Sequence, residues 1–387
     1  MYILLLAIIY LAFISLGLPD SLLGASWPTV HAELEIPISY MGIISMIISG
    51  GTIISSLFTA HLTKKFGTRI VTAASILLTS LALFGFSMSK EFYLLCIFAI
   101  PYGFGAGAID AALNNYVASH YNSRHMSWLH CFWGVGAIIS PYIMSFALTH
   151  SSWSSGYRTV SYIQLAIFVA VLLSFPLWKI NSKKSDDETK QKAIKLTEIV
   201  KIPGVPSILI GFMAYCAAEA TSMLWASCYF EEVFNSSKDE AAALGSLFFI
   251  GITGGRFIAG FISERLGDAK MIRLGTLVAF VGVGLIFIPI KAVAIAGFVL
   301  LGLGSAPIYP SIIHSTPQSF GKEKSASIIG IQMASAYVGA TFMPPLFGVI
   351  SSKISLKIMP IYLLIFLVLM IIMITRSQNM CKKGGNV

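Results

Sequence analysis

Charged residues are scarce in this chain. Only 11% of its 387 residues are Asp, Glu, Lys or Arg and 56% are apolar, with a mean hydropathy of +0.81, whereas average usage in soluble domains is roughly 25% charged. A membrane-spanning helix needs about 20 mostly apolar residues, and we count twelve such stretches. The sequence therefore predicts an all-α polytopic membrane protein. The predicted spans lie near residues 2–30, 38–62, 70–88, 91–119, 127–149, 158–179, 204–230, 241–262, 271–289, 291–315, 325–350 and 355–375.

Motifs of soluble enzymes and metal sites are also missing. The five cysteines occur singly, without CxxC spacing, so we expect free thiols. The glycine-rich run GFGAGA (103–108) lies inside an apolar span and lacks the strand, turn and helix of a dinucleotide fingerprint. No zinc pattern, serine triad or phosphate loop is present. The chain is therefore expected to be no enzyme and to need no cofactor or metal.

The charges that do occur are asymmetric. The net charge is +9, and most of the 26 Lys and Arg residues fall in alternate loops and at the C-terminus. The positive-inside rule explains this distribution without nucleic acid, so we expect a multi-pass protein of the cell membrane with both termini cytoplasmic. Met1 is followed directly by an apolar run without a basic n-region, which indicates a retained helix rather than a signal peptide.

The two halves of the chain repeat each other. HLTKKFGTR (61–69) recurs as FISERLGDAK (261–270), which places Gly67 and Gly267 about 200 residues apart. GFGAGAID (103–110) recurs as GLGSAPIY (302–309), and VGAIISP as VGATFMP. We predict two pseudo-symmetric six-helix bundles, 1–180 and 203–387, joined by a cytoplasmic linker at 181–202.

The repeated loop resembles the signature of the major facilitator superfamily, which runs roughly G-x-x-x-D-R-x-G-R-R. In the first copy Lys64 stands where the acidic residue is expected, whereas the second copy retains it as Glu264, with Arg256 as a plausible partner. The resemblance implies a transporter with substrate bound at the midplane between its halves. The gating residues that it implies are Gly67, Arg69, Arg256, Glu264 and Gly267.

Three carboxylates lie well inside predicted spans: Asp20, Asp110 and Glu219. An acid at the bilayer centre costs about 2.5–3.5 kcal/mol on insertion scales, so it should face a polar cavity or take a proton. We predict that these acids couple transport to H⁺ or, through hard oxygen ligands, to Na⁺. A purely structural role, with each acid hydrogen-bonded to backbone, is the alternative.

Polar and aromatic residues of the predicted fourth and fifth spans are candidates for substrate binding. Asn114 follows Asp110 by one helical turn and shares its face. A carboxylate and an amide suit sugar hydroxyls, which both donate and accept hydrogen bonds. His130 and Trp133 form one edge of the fifth span, where the indole is either a stacking platform or an interfacial belt residue.

In the second copy of the repeat, Tyr309 occupies the position equivalent to Asp110. Pro307 and Pro310 should break the tenth span, and Pro344 with Pro345 should break the eleventh. Helix-to-helix hydrogen bonding is the alternative role for the polar residues of these spans. The complete set of predicted substrate-binding residues is Asn114, Asn115, Trp27, His130, Trp133, Trp225, Tyr309, His314, Gln332 and Tyr337.

Within the superfamily, the chain resembles the fucose:proton symporter branch and its sodium-dependent glucose carrier relatives. This resemblance rests on Asp20, on the pattern Gly105, Asp110 and Asn114, and on the run LHCFWGVGA. It implies alternating-access symport of a small, sugar-like solute by a functional monomer whose other contacts are membrane lipid. Asp110 and His130 depart from the Glu and Gln of the branch. The alternatives are a proton-coupled exporter of a drug or metabolite, and a receptor that binds a solute without moving it.

Overall fold

The computed structural model describes residues 2–37, 40–182, 196–236 and 238–384. Within these ranges, twelve helical stretches are long and apolar enough to cross a membrane, which confirms the predicted all-α architecture. The helices are α1 (Tyr2–Asp20), α2 (Leu22–Glu33), α3 (Met41–Phe66), α4 (Thr68–Met88), α5 (Phe92–His120), α6 (Ser123–His150), α7 (Trp153–Leu173), α8 (Phe175–Ser182), α9 (Leu196–Ile199), α10 (Val205–Phe234), α11 (Lys238–Leu266), α12 (Asp268–Ile286), α13 (Lys291–Ser305), α14 (Ile308–Phe320), α15 (Lys322–Lys353) and α16 (Met359–Gly384).

Two of the spans are interrupted helices. The first consists of α1 and α2, which separate at Ser21, directly after Pro19 and Asp20. The tenth consists of α13 and α14, which separate at Ala306 and Pro307, so the break predicted at Pro307 is confirmed, whereas α14 continues through Pro310. The residues at both separations keep right-handed helical φ and ψ values, so each interruption is a short local irregularity within a helical span.

The second break predicted from proline is wrong. α15 continues through Pro344 and Pro345 to Lys353. Side chains of neighbouring helices bind its backbone at this point: the Trp225 indole donates to the Pro344 carbonyl at 2.9 Å and the Tyr362 hydroxyl to the Met343 carbonyl at 2.8 Å. These bonds tie α15 to α10 and α16 beside the two prolines, but they do not reach the carbonyls of residues 340 and 341, which the prolines leave without an intrahelical partner.

Three pairs of consecutive helices are joined by a single glycine. Gly67 joins α3 to α4, Gly267 joins α11 to α12 and Gly321 joins α14 to α15, with φ values of +81°, +74° and +90°. Left-handed backbone of this kind strains residues that carry a Cβ. Gly67 and Gly267 therefore occupy equivalent turns in the two copies of the repeated loop.

The chain divides into two compact units. The first holds the described residues up to Tyr116 and those from Leu129 to the linker; the second holds Val117–Trp128 and the described residues after the linker. The end of α5, the beginning of α6 and the turn that joins them thus belong to the second unit, a division that the repeat pattern did not predict. Most of the linker predicted at 181–202 lies outside the described residues, and the domain bounds stay a prediction.

Candidate functional site

Asp20 accepts two hydrogen bonds from aromatic side chains. The Tyr102 hydroxyl donates to Oδ1 at 2.9 Å and the Trp133 indole Nε1 donates to Oδ2 at 2.8 Å. Tyr102 is buried on α5 and Trp133 half-buried on α6, whereas Asp20 is exposed at the end of α1. The carboxylate therefore has neutral donors, and no cation is among its partners in the described part of the chain.

Glycines bring α1 against α6 and so allow this contact. A Cβ at Gly136 would collide with the Ile14 carbonyl oxygen, and one at Gly17 with the Trp133 carbonyl oxygen. Small residues at such positions let membrane helices approach backbone to backbone. The spacing of Gly136 and Trp133, three residues apart, places the close contact and the indole on neighbouring positions of one helix face.

A second, buried network joins α5 to α6. Asn114 Nδ2 donates to Asp110 Oδ1 at 2.7 Å and to the Asp110 carbonyl at 2.9 Å, and Asn114 Oδ1 lies 3.0 Å from His130 Nε2. Since the amide oxygen can only accept, His130 Nε2 must carry the proton of this bond. The exposed fractions of the three residues are 4%, 0% and 5%.

The two acids of the first unit belong to separate hydrogen-bond groups. Tyr102 and Asp110 are eight residues apart on α5, which corresponds to about 12 Å along a helix. Trp133 and His130 lie within one turn of each other on α6. The sequence predicts that both acids bind the coupling proton. Their surroundings differ, because Asp20 is exposed whereas Asp110 is buried.

The third acid forms an ion pair. Arg256 Nη2 of α11 lies 3.0 Å from Glu219 Oε1 of α10, with exposed side-chain fractions of 5% and 12%. Tyr215, one turn before Glu219, donates its hydroxyl proton to the Ser305 carbonyl at the end of α13. This arrangement ties Glu219 to a cation and distinguishes it from Asp20.

The pairing of Arg256 with Glu264 expected from the sequence is wrong. Glu264 Oε1 instead accepts from Arg124 Nε at 3.1 Å and from Asn122 Nδ2 at 2.7 Å, both within the second unit. Arg256 and Glu264 are separated by two helical turns on α11, and each finds a closer partner on another element. Spacing within one helix does not show which residues of other helices lie closest to a charged side chain, so the sequence could not identify these partners.

His314 also has partners that the sequence did not predict. Its Nδ1 lies 2.7 Å from Asp268 Oδ2 and its Nε2 lies 3.0 Å from the Tyr121 carbonyl oxygen. Both nitrogens of this predicted substrate-binding residue are therefore engaged by protein atoms. Asp268, the first residue of α12, was not among the predicted site residues.

The remaining candidates of the second unit are distributed over α10, α14 and α15. The Tyr309 hydroxyl contacts Met333 Sδ at 3.1 Å, and its ring packs edge-on against Phe212. Gln332 accepts from Thr316, while its buried Nε2 has no partner in the described part of the chain. Tyr337 is half-buried one turn and a half further along α15.

The structure places the other predicted residues as follows. Trp27 is 2% exposed in the apolar core of the first unit, with neighbours such as Leu18 and Trp153. Asn115 is half-buried beside Asn114, and the Trp225 indole binds the Pro344 carbonyl of α15. Arg69 approaches the carbonyl and the ring of Phe175.

Sequence analysis missed Tyr102, Tyr215 and Asp268. Tyr215 had a usable signal, since it precedes Glu219 by one turn on the same helix face. Helical spacing gave no signal for Tyr102 or Asp268, because their partners Asp20 and His314 lie 82 and 46 residues away along the chain.

Comparison with known proteins supports the architecture. The family model described as Major Facilitator Superfamily matches residues 9–214 and 207–378. The chain belongs to the major facilitator superfamily. It is therefore a multi-pass membrane transporter and not an enzyme, as its sequence predicted.

Individual members of the superfamily are distant in sequence. Bypass of stop codon protein 6 of Saccharomyces cerevisiae is 23% identical over 90% of this chain and 77% of its own length. The glucose/mannose transporter GlcP of Bacillus subtilis is 23% identical over 62% of this chain and 60% of its own length. The crystal structure of the E. coli fucose:proton symporter FucP has a TM-score of 0.78 at 17% identity, covering 97% of this chain and 98% of FucP. At that identity the match shows a shared fold.

Proposed function

We propose that this transporter moves a monosaccharide together with protons, by alternating access. The observation that carries the proposal is the difference between Asp20 and Glu219. Glu219 has Arg256 beside it, which compensates its charge, whereas the partners of Asp20 are the neutral donors Tyr102 and Trp133. Since no cation is among the partners of Asp20 in the described residues, binding a proton is the direct way to remove the cost of this charge within a membrane.

Several polar groups of the membrane spans suit a sugar. Sugar hydroxyls donate and accept hydrogen bonds, and amides and phenols can do both in return. Asn115 and Tyr337 are half-buried, and Gln332 retains a donor without a protein partner in the described residues. GlcP is named as a transporter of glucose and mannose and FucP as a fucose:proton symporter. These names support a sugar as substrate and a proton as coupling ion.

Coupling requires that the sugar bind the protonated transporter more tightly. A ligand shifts an equilibrium only by its differential affinity for the two states. If Asp20 binds the coupling proton, the neutral side chain of Asp20→Asn should mimic the protonated state permanently. The variant should then exchange sugar across the membrane but no longer accumulate it against a gradient.

The test uses purified protein in liposomes and labelled monosaccharides. An imposed pH gradient should drive accumulation by the wild type and by the control Glu91→Gln, which changes an exposed acid in the loop before α5. Asp20→Asn should retain sugar counterflow and lose accumulation. Full gradient-driven accumulation by Asp20→Asn would overturn the assignment of Asp20, and accumulation driven only by a Na⁺ gradient would overturn proton coupling.

The same liposome assay distinguishes a sugar transporter from a transporter of another class of substrate. Absence of counterflow for hexoses, deoxyhexoses and amino sugars would contradict the sugar proposal. Proton-driven efflux of an apolar drug in its place would favour the exporter.

A further inference from the structure

The His314 ring faces a hydrogen-bond acceptor on each side. Nδ1 lies 2.7 Å from the Asp268 carboxylate, and Nε2 lies 3.0 Å from the Tyr121 carbonyl. The side chains of His314 and Asp268 are only 8% and 9% exposed. A carbonyl oxygen never donates, so the Tyr121 contact is a hydrogen bond only when Nε2 carries a proton.

Counting protons defines two states of this pair. With a shared proton, either His314 is an imidazolium beside a carboxylate or Asp268 is a carboxylic acid that donates to Nδ1. In both cases Nε2 keeps its proton and donates to Tyr121. When the shared proton leaves, the ring has one proton for two acceptors. The charged carboxylate makes the stronger bond, so the proton goes to Nδ1 and the Nε2 lone pair faces the Tyr121 carbonyl.

The surroundings leave this proton as the main compensating charge. The recorded partners of the ring are Asp268 from α12 and Tyr121 from the segment Val117–Trp128; the described residues of α10, α13, α15 and α16 place no ionisable group against it. Asp268 Oδ1 is buried and has no partner among the described residues. Losing the shared proton would leave a net negative charge on two side chains that are only 8% and 9% exposed, which is costly although the carboxylate lies at the N-terminal end of α12.

The Tyr121 contact holds the segment Val117–Trp128, which runs from the last turn of α5 into the first turns of α6. Elsewhere this segment is held by Glu264, which pairs with Arg124 and accepts from Asn122 at the exposed surface, and by the Trp128 ring against Phe261 of α11. We propose that His314 and Asp268 form a further proton-binding site, separate from the acids of α1, α5 and α10, whose bound proton holds the segment Val117–Trp128 against α12 and α14.

The site acts on helices that carry the candidate transport residues. α5 ends at His120 and α6 begins at Ser123, so the segment covers one end of each helix. Release of the Tyr121 contact as pH rises loosens those ends. The consequence is a pH response that is independent of the transported proton.

Hydrogen exchange of the full-length protein in detergent tests this proposal. The protection of backbone amides in 117–128, corrected for intrinsic exchange, is compared at about pH 5.5 and about pH 8.5, on either side of the ordinary histidine range. In the wild type, protection should fall about tenfold at the higher pH, the effect of one hydrogen bond to a charged donor. Protection that does not change with pH would overturn the proposal.

Two variants locate the titrating group. In Asp268→Asn the amide donates to Nδ1 and leaves the proton on Nε2, so protection should stay high at both values of pH. In His314→Gln the side chain does not titrate, and protection should again be independent of pH. A wild-type pH response in either folded variant would overturn the proposal.

His125 provides the matched control, because of the two histidines inside the segment it is the one that packs on Tyr121 and Trp128, whereas His120 is exposed. His125→Gln should keep the pH response of the wild type; loss of the response there would assign it to His125 and contradict the proposed site. Thermal unfolding of each variant shows whether it is folded. If His314→Gln does not fold, Asp268→Asn decides the outcome.

Discussion

At the scale of single residues, the three acids of the spans differ in what compensates their charge. Glu219 has Arg256, Asp110 has the amide of Asn114, and Asp20 has a phenol and an indole. Removing one partner of a buried ion pair typically costs about 3–5 kcal/mol, so Glu219 and Arg256 are expected to depend on each other for stability. In the part of the chain that the structure describes, the partners of Asp20 are neutral, so this acid can gain a proton without breaking an ion pair.

Tyr102→Phe should move the pH dependence of uptake. The substitution removes the hydroxyl that donates to Asp20 and so weakens the charged form relative to the protonated form. A hydrogen bond to a charged group contributes about 1.5–3 kcal/mol, and about 1.4 kcal/mol corresponds to one pH unit. Proton-driven uptake should therefore extend about one to two pH units further into the alkaline range, as measured in liposomes buffered over a pH series.

Tyr93→Phe is the control for this experiment, since Tyr93 lies on the same helix and is 60% exposed. Its pH profile should coincide with that of the wild type. A Tyr102→Phe profile that is unchanged, or displaced toward acid, would contradict the role assigned to this hydroxyl.

Local spacing explains which of these contacts could be predicted. Asp110 and Asn114 are four residues apart on one helix, and their contact followed from that spacing. The bonds from Tyr102 and Trp133 to Asp20 join positions 82 and 113 residues apart, and depend on how closely α1 approaches α5 and α6. No helical period contains that information, so Asp20 and Trp133 were predicted as site residues, whereas Tyr102 and the bonds to the carboxylate were not.

At the scale of helices, proline alone did not determine where a span is broken. Pro307 coincides with the separation of α13 from α14, whereas α15 passes through Pro344 and Pro345 intact. Side chains of neighbouring helices, such as Trp225 and Tyr362, bind the backbone of α15 beside its prolines. Hydropathy therefore predicted the number of spans, whereas the presence of proline did not predict their continuity.

Gly136→Ala should destabilise the packing of α6 on α1. A Cβ there would meet the Ile14 carbonyl and lie 2.9 Å from the Leu18 nitrogen, both backbone atoms that cannot turn aside. Overpacking of this kind costs about 1–3 kcal/mol. The melting temperature in detergent should fall, and transport should weaken because the indole of Trp133 moves away from Asp20.

Gly50→Ala is the matched control. Gly50 lies within α3, and a Cβ there would have no neighbour within 4 Å. Alanine is favoured over glycine in a helix by about 1 kcal/mol, so this variant should melt at the same or a higher temperature. Equal destabilisation of both variants would show that close packing of α6 on α1 is not the cause.

At the scale of the whole molecule, the repeat and the loop charges carry different information. The repeated glycine turns at Gly67 and Gly267 reflect the fold, which the superfamily match establishes. The orientation in the membrane rests on charge alone: the turn between α3 and α4 is flanked by Lys64, Lys65 and Arg69. Basic residues favour the cytoplasmic side of short loops.

Orientation can be measured with single cysteines placed in a variant whose five native cysteines are replaced. Lys90 and Lys322 are both exposed lysines beside a helix start, in loops that the charge rule assigns to opposite sides. A membrane-impermeant maleimide should label Lys90→Cys in intact cells and Lys322→Cys only after lysis. The reverse pattern would place both termini outside, because an even number of spans separates Lys322 from each end. It would also place His314 and Asp268, which lie at the same membrane side as the turn at Gly321, in contact with external instead of cytoplasmic pH.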